Sequence, residues 1–302
     1  MKVLRLILIT SITMVSCERD FDINIKASPP QLVVEAYINN EIPLYNYVIL
    51  GRSQDYYAPN FENTPVTGAT VSITEGTLLA DNTYQWDART RKLLKEAAIP
   101  GITETLLPGI YFDTTLVTNP AGALRGRPGK HYLLEIEAEG KKYTAITALL
   151  QPVQIDTLTV GDYFTDVDED TVTQRARITV HYQEPDTIGN TQMYYWQGRN
   201  ERFNLGWGGM ENSRFVTGTD DLVNGQYMGL TMQRSFEVGD TVLFHMISLE
   251  RKVYNFWDSF NKARSNGGPF ATPVKLLGTV SGENVIGCFS GFSLSSRVVI
   301  IR

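Results

Sequence analysis

The stretch that decides the fold, residues 130–148, reads KHYLLEIEAEGKKYTAITA. Its first half alternates apolar residues such as Leu134 and Ile136 with glutamates, so one side of the segment is apolar and the other is charged. A period of two with one apolar side is typical of a half-buried β-strand. Gly140 supplies a turn, and residues 143–148 return along the first run. The stretch therefore predicts a β-hairpin.

Short β-type runs separated by turn residues fill much of the chain on both sides of this hairpin. No period of about 20–50 residues repeats, which argues against a solenoid or a propeller. Many short strands with turn signals between them predict an all-β fold of two β-sandwich-like domains, of the immunoglobulin or transthyretin kind. The predicted strands outside the hairpin lie at 32–38, 45–50, 66–74, 155–160, 175–182, 192–197, 226–232, 240–248, 284–292 and 297–301.

Residues 249–264 interrupt this series of predicted strands with the spacing of a helix. Apolar residues recur there at i, i+4, i+7, i+8 and i+11, from Leu249 to Phe260, and this stripe predicts an amphipathic helix. The glycines and the proline that follow at 265–269 are expected to end it. A second, short helix is predicted at 87–98.

The pair Gln151-Pro152 divides the β runs into two groups. We place a domain boundary near residue 153, which predicts an N-terminal β-sandwich domain over 31–153 and a C-terminal β-rich domain over 154–302 that holds the long helix. A length of 302 residues suits two domains of average size.

The composition excludes several classes of protein. Apolar residues make up 42% of the chain, which is enough for a packed core and argues against disorder. A net charge of −6 lacks the basic face that binding to nucleic acid requires. Two cysteines build neither a disulfide framework nor a four-cysteine zinc site.

The first sixteen residues have the pattern of a signal peptide. Lys2 and Arg5 precede an apolar run at 6–15 that is too short to span a bilayer but matches a signal-peptide core. Residues 14–17, Met-Val-Ser-Cys, resemble the lipobox of bacterial lipoproteins. In that class the cysteine thiol receives a diacylglyceryl group, the signal is cut before the cysteine, and the new amine is acylated.

The lipobox resemblance implies that Cys17 is the first residue of a mature chain held by membrane lipid, and that residues 17–30 form its tether. The alternative is an ordinary secretory signal with an incidental cysteine. Glu18, Asp20 and Asp22 follow closely, and such a cluster resembles the surface-export signal of Bacteroidota lipoproteins. We therefore expect an outer-membrane, lipid-anchored protein exposed at the cell surface. A plain solvated tether is the alternative interpretation of the acidic cluster.

Several further segments follow the acidic tether in a fixed order. They are QLVVEAYI at 31–38, PVTGATVSI at 65–73, PGKHYLLEI at 128–136, KYTA at 142–145, GPF at 268–270 and GCFSGF at 287–292. In order and spacing they resemble the Bacteroidota outer-membrane lipoproteins grouped as domain of unknown function 4249. That family has no established activity and no agreed catalytic residues. The resemblance implies an accessory lipoprotein that works beside a TonB-dependent outer-membrane receptor.

No catalytic constellation emerges from the sequence. The stretch 287–291 lacks the serine register of a nucleophile elbow. His131, His181 and His245 are not in a zinc-peptidase pattern, and each falls in a predicted strand. Cys288 stands in an apolar glycine-rich run, where a lone cysteine is usually a small core residue. We predict no cofactor and no enzyme activity.

The alternating acids Asp166, Asp168 and Asp170 are weak candidates for a metal site. Clustered carboxylates suit calcium, and the spacing imitates the start of an EF-hand loop. Thr171 replaces the glycine at the sixth position and Arg177 replaces the glutamate at the twelfth. We therefore favour a solvated loop between strands.

Aromatic residues supply the candidate binding sites: Trp207, Tyr56, Tyr57 and Trp196. Flat aromatic rings on loops stack on sugars or hold a protein partner, whereas core filling is the alternative for those in strands. Alternation predicts that the neighbour of Trp196, Tyr195, faces the opposite side of its strand.

Three functions remain open. The first is a non-enzymatic, lipid-anchored accessory protein that binds a TonB-dependent receptor or its ligand in nutrient uptake. The second is a carbohydrate-binding surface lipoprotein that uses exposed aromatics, and a peptide ligand is a further option. The third, a hydrolase with a carboxylate pair, is the weakest, because 33 acidic residues offer too many pairs to choose from.

Overall fold

The computed structural model describes residues 29–54, 64–98, 105–168, 171–198, 216–266, 272 and 274–302. The strands in these ranges are β1 (Leu32–Asn39), β2 (Tyr47–Arg52), β3 (Thr70–Leu78), β4 (Tyr84–Trp86), β5 (Lys92–Leu94), β6 (Ile110–Phe112), β7 (His131–Ala138), β8 (Lys141–Ala148), β9 (Ile155–Asp168), β10 (Thr171–Gln183), β11 (Asn190–Gly198), β12 (Val216–Thr219), β13 (Tyr227–Glu237), β14 (Thr241–Glu250), β15 (Val280–Ser281) and β16 (Val285–Ile300). The α-helices are α1 (Thr115–Thr118) and α2 (Arg251–Ser265), and short 3-10 turns lie at Pro43–Tyr45, Ala88–Thr90, Pro120–Gly122 and Asp220–Leu222.

The strands form three sheets around one shared layer. The central sheet has seven strands in the order β12-β11-β14-β16-β1-β2-β6. A second sheet runs β15-β8-β7-β3-β4, with β5 also paired to β3, and a third runs β13-β10-β9. The strands β1 and β16, from opposite ends of the described chain, pair in parallel at the middle of the central sheet. The predicted all-β, sandwich-like fold is confirmed.

One face of the central sheet, which we call the sandwich face, packs against both outer sheets. Val34 and Ile38 of β1 pack in a core with Leu134 of β7. Farther along the sheet, Phe244 of β14 packs in a second core with Ile178 of β10. The predicted boundary near residue 153 falls between β8 and β9, and so between the two outer sheets. The central sheet takes strands from both sides of this boundary.

The opposite face, which we call the helix face, is covered by α2. Tyr37, Tyr195 and Phe292 of the sheet form a third apolar cluster with Trp257 of the helix. Tyr195 lies in this cluster while its neighbours Tyr194 and Trp196 lie in the sandwich core, so the predicted alternation along β11 is confirmed. No helix in the described ranges is long and apolar enough to cross a membrane.

The hairpin at 130–148 forms as predicted. β7 and β8 are joined by the two residues Glu139 and Gly140, with φ angles of 54° and 73°. Two positive φ angles are typical of a type I′ turn, whose twist matches that of the flanking strands. The long helix is also confirmed, but it begins at Arg251 because Leu249 still belongs to β14.

Two predicted elements are wrong. The segment 87–98 contains a 3-10 turn and strand β5 instead of a helix, because the Asp87 carboxylate accepts a hydrogen bond from the Arg89 backbone amide and Leu94 then pairs with β3. The two predicted C-terminal strands are one continuous strand, β16. Its polar middle, which includes the buried Ser293, pairs with β14 and does not turn.

Candidate functional site

A cavity of about 290 Å³ opens between α2 and the helix face of the central sheet. Its walls are mainly apolar, and its volume lies near the lower end of the range for ligand pockets. We call it the helix pocket. Its lining includes Val33, Glu35, Phe256, Trp257, Phe260 and Arg264.

Interlocked aromatic rings form the wall of the helix pocket on the α2 side. Trp257 is fixed at both ends, because its Nε1 donates to the Ser290 hydroxyl at 3.0 Å and its ring stacks on Tyr37 at a centroid distance of 6.4 Å. Phe260 meets the Trp257 ring edge-on at 5.6 Å. The apolar stripe that folds the helix onto the sheet therefore also presents its rings to the cavity.

Glu35 is the acidic group in the lining. It occupies an inward position of β1 on the helix face, and the Tyr37 hydroxyl donates a hydrogen bond to its carboxylate. Burial raises the pKa of Glu35 above its usual value, although the Tyr37 hydrogen bond opposes this effect. Within the described part of the chain, no lysine, arginine or histidine forms an ion pair with Glu35.

The sheet side of the helix pocket depends on a glycine. Gly287 of β16 has a φ angle of 145°, and a Cβ there would overlap the backbone carbonyl oxygen of Val34. Only glycine tolerates this close approach of two parallel strands.

Cys288 also lines the helix pocket, and its environment disfavours the thiolate form. The residue is 1% exposed, as expected for a small core cysteine. Burial raises the pKa of the thiol to about 11, so the nucleophilic thiolate is suppressed near neutral pH. The hydroxyls of Thr279 and Ser290 each donate to the sulfur at 3.4 Å.

A connecting segment at residues 274–279, which we call the strap, separates the helix pocket from a second groove. The Leu277 backbone amide donates to the Ser259 hydroxyl at 3.1 Å, and the Thr279 amide donates to the Gly287 carbonyl at 2.9 Å. The second groove has a volume of about 660 Å³ and contains Lys252 and Lys275.

A second aromatic surface lies on the outer face of the sheet that contains β4 and β7. Tyr84 stacks on Trp86 with a ring-centroid distance of 5.1 Å, and His131 lies 5.2 Å from Tyr84. We call these three residues the aromatic ledge. Beside Trp86 is a cavity of about 310 Å³ whose charged lining includes Arg127, which forms an ion pair with the buried Glu75.

Comparison with known proteins identifies the family. The family model described as Domain of unknown function (DUF4249) matches residues 18–297, which is nearly the whole chain. The chain belongs to this family. A search of curated proteins gave no significant match. The resemblance inferred from the order of segments in the sequence is therefore confirmed at the level of DUF4249.

The predicted binding residues of this DUF4249 chain have mixed outcomes. Trp196 is 2% exposed and its ring meets Phe236 edge-on at 6.4 Å, so it fills the second sandwich core and presents no free face to a ligand. That prediction is wrong, because the inward position on β11 decides where the ring points. The other candidates, Cys17, Tyr56, Tyr57 and Trp207, lie outside the described residues.

Two of the three acidic metal candidates, Asp166 and Asp168, lie in a strand. Asp166 is an exposed residue within strand β9, 3.7 Å from Arg175, and Asp168 ends the same strand. Asp170 lies outside the described residues. Over the described ranges, no group of three or more His, Cys, Asp or Glu side chains is arranged to hold a metal ion.

Sequence reasoning missed Glu35 and the aromatic ledge. The signal for Glu35 was a charged residue in the middle of the apolar run LVVEAYI. The signal for the ledge was the alternation of Tyr84 and Trp86 in a short strand. Neither signal specifies which partner approaches from elsewhere in the chain.

Proposed function

We propose that this chain is a non-enzymatic, lipid-anchored accessory protein of the outer membrane. It binds a TonB-dependent receptor, a ligand of that receptor, or both, and so assists nutrient uptake. The observation that supports a binding role most directly is the helix pocket, an apolar, aromatic-walled cavity with few polar groups. Such a composition is typical of sites that hold small molecules.

The groups around the helix pocket favour binding over catalysis. Its thiol, Cys288, has a raised pKa and is a poor nucleophile. Burial also raises the pKa of Tyr37 and Tyr47, which holds both phenols in their neutral form. Burial raises the pKa of Glu35 above its usual value, and Glu35 is the one carboxylic acid among the described residues that line the helix pocket. A reaction that needs two carboxyl groups, one as acid and one as base, would lack the second group there.

The proposed location at the outer membrane rests on the amino-terminal sequence. Acylated Cys17 would hold the chain to membrane lipid, and several acyl chains together bind a bilayer firmly. The acidic residues of the 17–30 tether favour display at the cell surface. We expect protease added to intact cells to cleave the chain, and complete protection would contradict surface display.

Affinity purification from membranes tests the partnership. The full chain with a carboxyl-terminal affinity tag is cross-linked in cells, purified and examined for outer-membrane receptors by mass spectrometry. We expect a TonB-dependent receptor to co-purify. The matched control is Cys17→Ser, which should lose both the lipid and the receptor. Recovery of the lipidated chain with no receptor would contradict the receptor role.

A carbohydrate-binding role is the second candidate, and the aromatic ledge favours it. Tyr84 and Trp86 are partly exposed, and the adjoining cavity offers charged hydrogen-bonding groups beside the indole. Sugars combine stacking on aromatic rings with hydrogen bonds to such groups. A glycan array with the purified chain tests this role. Binding that Trp86→Ala abolishes would support it, and no binding to any glycan would retire it.

A further inference from the structure

We infer that the helix pocket binds a ligand with an apolar body and a protonated amine, and that Glu35 is the counter-ion of this amine. The inference rests on the proposed function, since it assigns a ligand class to the same pocket. It is carried by the position of a carboxylate inside an aromatic-walled cavity.

The first step is the charge balance of the helix pocket. Glu35 is directed to the helix face and partly buried, and its hydrogen-bond partner is the neutral hydroxyl of Tyr37. No described basic side chain forms an ion pair with it. Burying a carboxylate without a cation is costly, and a bound ammonium group would remove that cost.

The second step is the aromatic wall. Phe256, Trp257 and Phe260 line the cavity together with Glu35. The negative face of an aromatic ring attracts a cation, most strongly for tryptophan, and the same rings bury an apolar chain. A carboxylate and aromatic rings around one small cavity therefore select a cation that is attached to an apolar group.

The helix pocket also has a positively charged side chain in its lining. Arg264 also lines the helix pocket, about one helical turn beyond Phe260 on α2. A carboxylate-bearing ligand would prefer Arg264, and an uncharged ligand would use the apolar walls alone. The three ligand classes differ only in the head group, so matched probes can separate them.

The test is calorimetric titration of the purified full chain with octylamine, octanol and octanoate. We expect octylamine to bind about tenfold or more tightly than octanol, and octanoate to bind weakest. Glu35→Gln keeps the shape of the side chain and an oxygen for Tyr37, and it should reduce octylamine affinity by about tenfold or more while leaving octanol unchanged. The matched control is Glu137→Gln, at an exposed position of β7. It should change neither affinity.

The pH dependence of octylamine binding gives an independent readout. Because burial raises the pKa of Glu35, the empty pocket holds the proton of this acid to a higher pH than an exposed carboxyl group does, and binding of the ammonium favours its release. Affinity should therefore rise as the pH increases through the raised pKa of Glu35, while the amine keeps its charge. The other acids around Glu35 keep their protons near neutral pH, because burial raises the pKa values of Tyr37, Tyr47 and Cys288. The charged group that α2 adds to the lining is Arg264.

Each outcome of the titration decides the inference. Octylamine binding that rises with pH and is lost in Glu35→Gln supports it. Tightest binding by octanoate, equal binding of octylamine and octanol, or no binding of any probe overturns it. If the chain does not bind octylamine but a receptor still co-purifies with it, the ligand class is wrong and the accessory role stands. Amine binding without a co-purified receptor would retire the receptor role alone.

Discussion

The two faces of the central sheet differ in what covers them and in what they bury. On the sandwich face, two outer sheets enclose side chains such as Phe244 and Met246 in two apolar cores, and the buried hydroxyls of Ser248 and Ser295 form hydrogen bonds with the backbone of Val153. On the helix face, α2 packs against the sheet and leaves a cavity that Glu35 lines, Trp257 of α2 donates to Ser290, and His245 lies on the same face, stacked on Tyr195. The same strands therefore pack closely against two sheets on one side and border a cavity on the other.

Residues that are neighbours in one strand can therefore belong to different faces, one to the packed scaffold and the next to the face with the candidate site. Phe244 and His245 are adjacent in β14 and both buried, yet they point to opposite faces. Because a strand alternates with period two, a rigid apolar core can hold a polar surface in place directly behind it.

Removing a large side chain from the sandwich face should cost the most stability. Phe244→Ala leaves a cavity in a fully buried position of β14, and we expect the free energy of unfolding to fall by about 3–5 kcal/mol. Urea denaturation measures the change. Val298→Ala, at a position 58% exposed in β16, is the control and should shift it by less than about 0.5 kcal/mol. A loss below about 1 kcal/mol for Phe244→Ala would contradict the assignment of this face as the scaffold.

The buried histidine on the helix face should make stability depend on pH. Burial lowers the pKa of His245 from 6.5 to about 4, while an unfolded histidine keeps the ordinary value. The folded state therefore resists protonation, and stability should be complete above about pH 6.5 and fall by about 3 kcal/mol as the pH drops to about 4. Denaturation at a series of pH values measures the slope. His245→Gln should flatten it, and an unchanged slope in this variant would contradict the prediction.

The hydrogen bond between Trp257 of α2 and Ser290 of the sheet should contribute moderately to the free energy of unfolding. Trp257→Phe removes the donor to the buried Ser290 hydroxyl, and we expect a loss of about 1–2 kcal/mol. A double-mutant cycle with Ser290→Ala isolates the pair, and the coupling energy should be about 1 kcal/mol. Coupling near zero would show that the helix is held by apolar packing alone.

Replacing the carboxyl group of the helix pocket should have the smallest effect, and its sign depends on pH. Because burial raises the pKa of Glu35, the folded state holds the proton of this side chain more tightly than the unfolded state does. The stability of the wild type therefore falls as the pH rises from the unfolded-state pKa through the raised folded-state pKa. Glu35→Gln lacks that loss. Its melting temperature should match the wild type near pH 4 and exceed it near pH 8. A variant less stable than wild type near pH 8 would contradict the prediction.

Local patterns predicted the parts of the fold that depend on periodicity. The hairpin at 130–148 combined clean alternation with a glycine turn, and the helix stripe ending at Phe260 matched one face of a helix. In both cases a single face is buried, so the pattern and the environment agree. Opposite placement of Tyr194 and Tyr195 followed from the same geometry.

The failures come from partners far away in the chain. The sequence predicted two strands at 284–292 and 297–301, but pairing of residues 292–300 with β14 makes β16 one continuous strand. Trp196 was a candidate for ligand stacking because the sequence predicted its strand but not the outer sheet of β10 and β13 that covers its ring. Glu35 becomes part of a site only when α2 closes over β1, which no local pattern describes.

Hydrogen exchange of the full chain, with and without octylamine, tests the contrast between the two faces most directly. If the helix face is the binding surface, octylamine should slow exchange of backbone amides in α2, in the strap at 274–279 and around Glu35 in β1, and leave the outer sheets unchanged. Slower exchange in β7 and β8 or in β10 and β13, with no change in α2, would contradict the account.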